Sequence, residues 1–166
     1  ETESFVFTCR AERPGHPIIY KIKDDLMVAA RDQAKTALVA GMLDELFGSV
    51  VAAGSVLETS FCNIGMIFHP IPLLMNLARA ENQEDYLHYH GAITPFTAQV
   101  MERLDGERVA LARAVGVETL SALDWIKERY GSKGETLYEA IRDTDAYGGV
   151  YGTKDIRSRY IFEDVP

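Results

Sequence analysis

Cysteine is scarce in this chain. There are two in 166 residues, Cys9 and Cys62, far apart and without metal-ligand spacing. That excludes a disulfide scaffold and a thiolate metal site, and it suits reduced thiols in a cytoplasm. Positive charge is also short. Seventeen Lys and Arg stand against 25 Asp and Glu, a formal net charge of −8. A nucleic-acid-binding surface needs the opposite balance. No apolar run reaches the roughly 20 residues of a membrane span. The polar, acidic start does not read as a secretory leader, so neither a membrane nor a nucleic acid is expected as a partner. There is no internal repeat and no low-complexity tract. No G-x-G-x-x-G occurs, and the glycines of YGGVYG (147–152) have no strand before them and no Lys-Ser/Thr after them. The two common phosphate-binding glycine motifs are therefore missing.

What is present fits one large domain or two small ones. Apolar residues make up 47% and charged residues 25%, the balance of a globular protein. The chain opens on Glu1 and stops on FEDVP, which reads as a piece of a longer polypeptide. Residues 1–30 read as strands. In SFVFTCR, Phe5, Phe7 and Cys9 alternate with Val6 and Thr8, the pattern of a buried strand. AERPGHP is rich in breakers and is expected to be a loop. IIYKIK, a DD turn and LMVAA read as a hairpin with Ile18, Tyr20 and Ile22 on one face. The period then changes. Asp32 can cap a helix from about Gln33 to Phe47, ended by Gly48, with Ala34, Leu38, Met42, Leu43 and Leu46 on one face. VVAAG at 50–54 is a further short strand.

From Ser55 onward the sequence reads as helix. The spacing predicts helices over 55–68, about 71–81, and Phe96 to Val115 behind the Thr94-Pro95 start. Val100, Leu104, Leu111 and Val115 are expected inward on the last of these, with Gly116 ending it. Thr119 is expected to cap a helix through Trp125 to Tyr130, and Thr136 one ending near Asp143. RDQAK and GERVALAR read as solvated charged faces, and Tyr86, Tyr89 and Phe96 as packing. The expected fold class is α+β, with a short β segment over 1–54 followed by an all-α domain over 55–166.

One histidine stands out. GMIFHPIPLLMN (65–76) places His69 between a bulky apolar run and two prolines. Pro70 disfavours helical geometry at His69, so one helix should stop there and another begin near Ile71. A side chain at such a joint is held by two helices and can point into a cleft. In one continuous helical frame, Cys62 and Gly65 share its side. A lone His in an apolar stretch is most often a packed core residue, yet an imidazole titrates near neutrality and serves as a general acid or base. Local sequence does not choose between these. HYH at 88–90 puts two imidazoles two residues apart, which one helix face cannot aim at one ion, and no third ligand is evident. His16 falls in a polar loop. Near the end, Arg159 and Asp164 are five apart and share no face of a regular helix or strand. They converge only on irregular backbone, which the nearby Pro166 permits. An Asp beside His69 would orient the ring, and an Arg would fork a substrate carboxylate. A surface ion pair is the plain alternative.

VLETSFCNIGMIFHP, TPFTAQVMERLDGERVALARAVGV, ALDWIKERYG, TLYEAI and SRYIFEDVP together resemble the opine dehydrogenase family, which includes the octopine and nopaline dehydrogenases. The resemblance runs in order from about Thr2 to Pro166. It implies the end of a Rossmann nucleotide-binding domain over 1–54. Over 55–166 it implies a helical domain resembling the 6-phosphogluconate dehydrogenase C-terminal-like fold. By this resemblance His69 matches the catalytic histidine, Asp164 its carboxylate partner, and Arg159 the arginine that binds the oxo-acid carboxylate. Asn63, off the His69 face of an ideal helix, stands with Arg159 among the substrate-binding residues. The implied reaction is NAD(P)H-dependent reductive condensation of an amino acid with a 2-oxo acid such as pyruvate. NAD or NADP would be held mainly by parts outside this chain, which alone is expected to be inactive. Two other readings stand beside it. One is a non-catalytic helical interaction module, for instance forming a homodimer. The other is a two-domain hydroxy-acid or keto-acid dehydrogenase.

Overall fold

A computed structural model describes residues 1–164 of the chain, leaving out the side chains of residues 10–12. Val165 and Pro166, including the proline expected to loosen the end, lie outside the described residues. The chain divides into two compact units. One comprises residues 1–63 with 116–119, and the other residues 64–115 with those from Leu120 onward.

The first unit opens with an antiparallel hairpin, β1 (Phe7–Arg13) and β2 (His16–Ile22). The breaker-rich stretch is thus mostly strand, with only Pro14 and Gly15 left to turn the chain. Proline presets the first central position, and Gly15 takes φ +79 at the second, the positive φ that a type II turn needs there. The strand expected to be buried is not. Phe5 is 70% exposed, and Ile18, Tyr20 and Ile22 are exposed as well. LMVAA does not join this hairpin. β3 (Leu26–Val28) instead pairs in parallel with β4 (Val50–Ala52).

A parallel pair needs a crossover, and a helix supplies it. Asp32 accepts from the Ala34 N–H to start a 3-10 turn over Gln33–Lys35. That turn runs into α1 (Thr36–Phe47), which Gly48 ends at φ +68. The buried face of α1 is Thr36 and Ala40, with Val39 and Leu43 packed against Leu26, Val28 and Val50. Leu38, Met42 and Leu46 are exposed. This helix is apolar on more than one side, so spacing alone did not identify the side that meets the sheet. α2 (Val56–Cys62) follows, capped by Ser55 on the Glu58 N–H. It ends at Asn63, whose backbone is extended at ψ 98. The expected 55–68 helix is therefore interrupted, and Cys62 shares no continuous helical face with His69. The Cys62 thiol lies 3.4 Å from the Thr119 hydroxyl.

The second unit is helical. α3 (Gly65–Phe68) and α4 (Pro70–Met75) flank His69, and α5 (Leu77–Glu81) follows. Asn76 divides α4 from α5. Its side-chain amide donates to the carbonyls of Pro72 and Ala92 at 2.9 and 3.0 Å. α6 (Pro95–Ala114) begins where Thr94 accepts from the Thr97 N–H. Its inward face is Thr97, Ala98, Met101, Asp105, Arg108 and Ala112. Val100 packs against the core, but Leu104, Leu111 and Val115 are exposed. The inward stripe carries a charged pair that a hydrophobic pattern assigns to solvent, and Arg108 of GERVALAR is buried accordingly. α7 (Ala122–Tyr130) is capped by Ser121, not Thr119. Asp105 accepts from the Ala122 N–H at 2.6 Å, which fixes the start of α7 close to that serine. Thr136 and Glu139 form a reciprocal capping box on α8 (Leu137–Arg142). The shared core is built from Ile64, Phe68, Met101, Ile126, Leu137 and Ile141 with their neighbours. After a 3-10 turn at Asp145–Tyr147, the last helix among the described residues is α9 (Arg159–Phe162). Among the described residues no helix is long and apolar enough to cross a membrane.

Candidate active site

His69 lies between two helices: the C-cap of α3 and the N-cap of α4. Its backbone stays in the right-handed region, φ −103 and ψ −59, despite the proline that follows. The expected break is real, but geometry at the residue remains helical, because its N–H still reaches the Gly65 carbonyl at 3.0 Å. The side chain is 17% exposed. It is neither sealed in the core nor freely solvated.

Its Nδ1 lies 2.9 Å from Oδ2 of Asp164, 95 residues away in sequence. A carboxylate can only accept, so Nδ1 carries the hydrogen and Nε2 is the ring nitrogen turned away from Asp164. The other oxygen, Oδ1, lies 3.7 Å from Arg159 Nη1. One carboxylate therefore faces an imidazole on one side and a guanidinium on the other. The five-residue spacing closes through the backbone. α9 makes a single turn, and the Glu163 and Asp164 N–H groups both return to the Arg159 carbonyl, at 2.9 and 3.1 Å. That bifurcated closure is the irregularity which brings residues 159 and 164 together. Arg159 keeps 41% of its side chain exposed, against 11% for Asp164. The carboxylate is thus screened from water while much of the guanidinium is accessible.

Two aromatic residues complete the cluster: Tyr160, which the sequence did not single out, and His88, which it offered only as half of a metal pair. Tyr160 lies flat on the His69 ring, with centroids 4.3 Å apart and planes 9° from parallel. The Arg159 guanidinium carbon lies 5.4 Å from the Tyr160 ring centroid. His88, fully buried, stands 5.0 Å from Tyr160 and 6.3 Å from His69. The two imidazoles of HYH serve different carbonyls. His88 Nε2 meets Phe68 O at 2.9 Å, and His90 Nε2 meets Ile141 O at 3.1 Å.

The chain leading to α9 is anchored beside His88. The His88 N–H donates to Val150 O at 2.6 Å, and the Gly152 N–H to Tyr86 O at 2.7 Å. A Cβ at Gly152 would run into the Tyr86 ring, so glycine is required by that close approach. Burial raises the Tyr86 hydroxyl above its ordinary range, a shift opposed by Arg79 and aided by Tyr160. Asn63 sits in the first unit, half-buried at the end of α2, with its N–H on the Ser60 carbonyl.

Comparison with known proteins gives this geometry a family. Residues 52–166 match the family described as NAD/NADP octopine/nopaline dehydrogenase, alpha-helical domain. The chain belongs to that family. An opine dehydrogenase of Arthrobacter sp. (strain 1C) is 38% identical over 165 residues, which are 99% of this chain and 46% of the relative. Vitopine synthase of Allorhizobium ampelinum is 26% identical over 106 residues, 63% of this chain and 29% of that protein. A solved octopine dehydrogenase with NADH and L-arginine superposes with a TM-score of 0.75 at 23% identity. It covers 99% of this chain and 47% of its own. Octopine dehydrogenase in complex with NADH and agmatine gives 0.69 at 20%. These likenesses bear out the α+β class with its helical domain. The chain spans about half the length of the Arthrobacter relative.

The family's nucleotide can be tested against the residues present. A dinucleotide needs a glycine-bearing turn between strand and helix, so that backbone can approach the pyrophosphate. Between β3 and α1 the chain reads AARDQAK (29–35), with no glycine. This β–α–β segment does not form the pyrophosphate cradle.

Proposed function

We propose that the full-length protein is an opine dehydrogenase, and that this chain supplies its acid–base and oxo-acid-binding groups. The overall reaction is condensation of an amino acid with a 2-oxo acid such as pyruvate, with NADH or NADPH reducing the imine. It yields a secondary amine dicarboxylate, oxidised nucleotide and water. Residues 1–54 are read as the end of the Rossmann nucleotide-binding domain, and the nucleotide is assigned to parts of the protein outside this chain.

The observation that carries the reading is the shared carboxylate of Asp164, with His69 at 2.9 Å and Arg159 at 3.7 Å. Imine formation needs a proton removed from the amine and one delivered to the departing hydroxyl. His69 Nε2 can do both in turn, since the Nδ1–H···Asp164 bond fixes the tautomer and stabilises the imidazolium. Arg159 adds a second positive group whose half-exposed fork suits the carboxylate of the oxo acid. With the imidazole protonated, two cations face one carboxylate, and the remaining positive charge favours an anionic substrate. Asn63 stays a proposed substrate amide on the strength of the resemblance alone.

The test is turnover of the full-length protein with pyruvate and a panel of amino acids. His69→Ala is expected to lower kcat by ~10²–10⁴-fold while nucleotide binding persists. Arg159→Lys keeps the charge but loses the fork, and is expected to raise KM for the oxo acid more than it lowers kcat. Near-normal turnover in His69→Ala would refute the assignment.

A further inference from the structure

The peptide preceding His69 has lost its helical hydrogen bond. In a continuous helix the Phe68 carbonyl accepts from the N–H of residue 72. Residue 72 is proline and has no N–H. Phe68 is 2% exposed, so water cannot readily replace the missing donor, and a buried carbonyl left unsatisfied is costly. His88 fills the gap, with Nε2 2.9 Å from Phe68 O. A carbonyl only accepts, so His88 carries a hydrogen on Nε2. The same ring stands 5.0 Å from Tyr160, the residue lying flat on His69. The backbone of His88 is tied to Val150, which begins the segment leading to Arg159 and Asp164.

We propose that His88 is a positioning residue of the active site, donating to the Phe68 carbonyl in place of the N–H that Pro72 lacks. It thereby fixes the peptide entering His69 and backs the tyrosine that stacks on the imidazole. This inference rests on the reading of His69 as the proton-transfer group. His88 touches neither substrate nor reacting atoms in this role. It sets where the His69 ring stands relative to Asp164.

The test uses the full-length protein and four variants: His69→Ala, His88→Phe, His88→Gln and the double variant His88→Phe/Pro72→Ala. The readouts are kcat, KM, nucleotide binding and the pH profile of kcat. His88→Phe keeps a ring and removes the donor. It is expected to lower kcat by ~10²-fold, the scale of a small misplacement at a reacting centre, with nucleotide binding unchanged. The limb of the pH profile set by His69 should move with it. His88→Gln brings an amide N–H to the same carbonyl and should recover most of the loss. Pro72→Ala restores the helical N–H and should recover about tenfold in the His88→Phe background. Wild-type kcat in His88→Phe, or failure of both restorations, overturns the proposal. If His88→Phe alone does not fold, the double variant decides. Folded and active supports the role; unfolded or inactive overturns it. His69→Ala keeps the two readings apart. Its full turnover sinks the acid–base role, whereas an inactive His69→Ala beside an unaffected His88→Phe sinks only the positioning role.

Discussion

Each unit of the molecule contains the same local device, an aspartate three residues before a cation. In the first unit Asp32 and Lys35 lie 3.2 Å apart, with side chains 57% and 68% exposed. In the second, Asp105 and Arg108 lie 2.8 Å apart, at 5% and 3%. Sequence spacing makes them equivalents, and burial makes them opposites. The exposed pair is screened by water and contributes about 0–1 kcal/mol. The buried pair also holds the N–H of Ala122 and the carbonyl of Leu120, so it ties α6 to the start of α7. The two long helices repeat the contrast. α1 exposes Leu38, Met42 and Leu46, while α6 turns a charged pair inward. A pattern of residue types states which faces a helix has, and the neighbours decide which face is covered.

The largest effect is expected where a buried ion pair is broken. Asp105→Ala leaves Arg108 without its carboxylate and frees the Ala122 N–H, at a cost of about 3–5 kcal/mol. Asp32→Ala removes an exposed pair and a weak cap, at about 1 kcal/mol. Urea denaturation of both variants measures the gap, and equal losses would erase the contrast. Next comes packing. Ile126 is fully buried, and Ile126→Ala should cost about 2–5 kcal/mol. Leu46 is 73% exposed, and Leu46→Ala should stay within about 0.5 kcal/mol in this chain. A cost at Leu46 that emerges only in the full-length protein would show that this face is covered there.

The smallest effect is a pH dependence. Burial beside Tyr89 and Tyr130 raises the Tyr147 hydroxyl well above the ordinary tyrosine range. The unfolded chain then releases this proton before the folded one does. Its contribution to stability is intact below the ordinary tyrosine value and is lost as pH rises toward the folded one. Thermal melting of the second unit should fall above about pH 10. Tyr147→Phe should make that decline shallower, and an unchanged slope would place its origin elsewhere.

Much of the fold was legible because helix ends are chemical events. Asp32, Thr94 and Thr136 each cap where expected, and Gly48 ends its helix where expected. Thr119 misled because Ser121 offers the same chemistry two residues later. The hairpin misled because composition marks breakers without saying how few of them the turn consumes. At the site, the proline after His69 announced a joint, and the resemblance supplied the partners that spacing could not. Arg159 and Asp164 meet through a bifurcated backbone closure, which no helical or strand period encodes. Tyr160 was missed and His88 was weighed only as half of a metal pair, though one clue to its place was in plain view. Pro72 lies four residues after Phe68, so the loss of a donor to that carbonyl could be read from the sequence alone.

The 95-residue separation of the imidazole and its carboxylate also has a consequence in time. A ribosome adding 5–20 residues per second finishes the aspartate roughly 5–20 s after the histidine. A nascent or prematurely terminated product therefore holds His69 without this carboxylate beside it, and the proton transfer proposed for the pair waits for synthesis through residue 164.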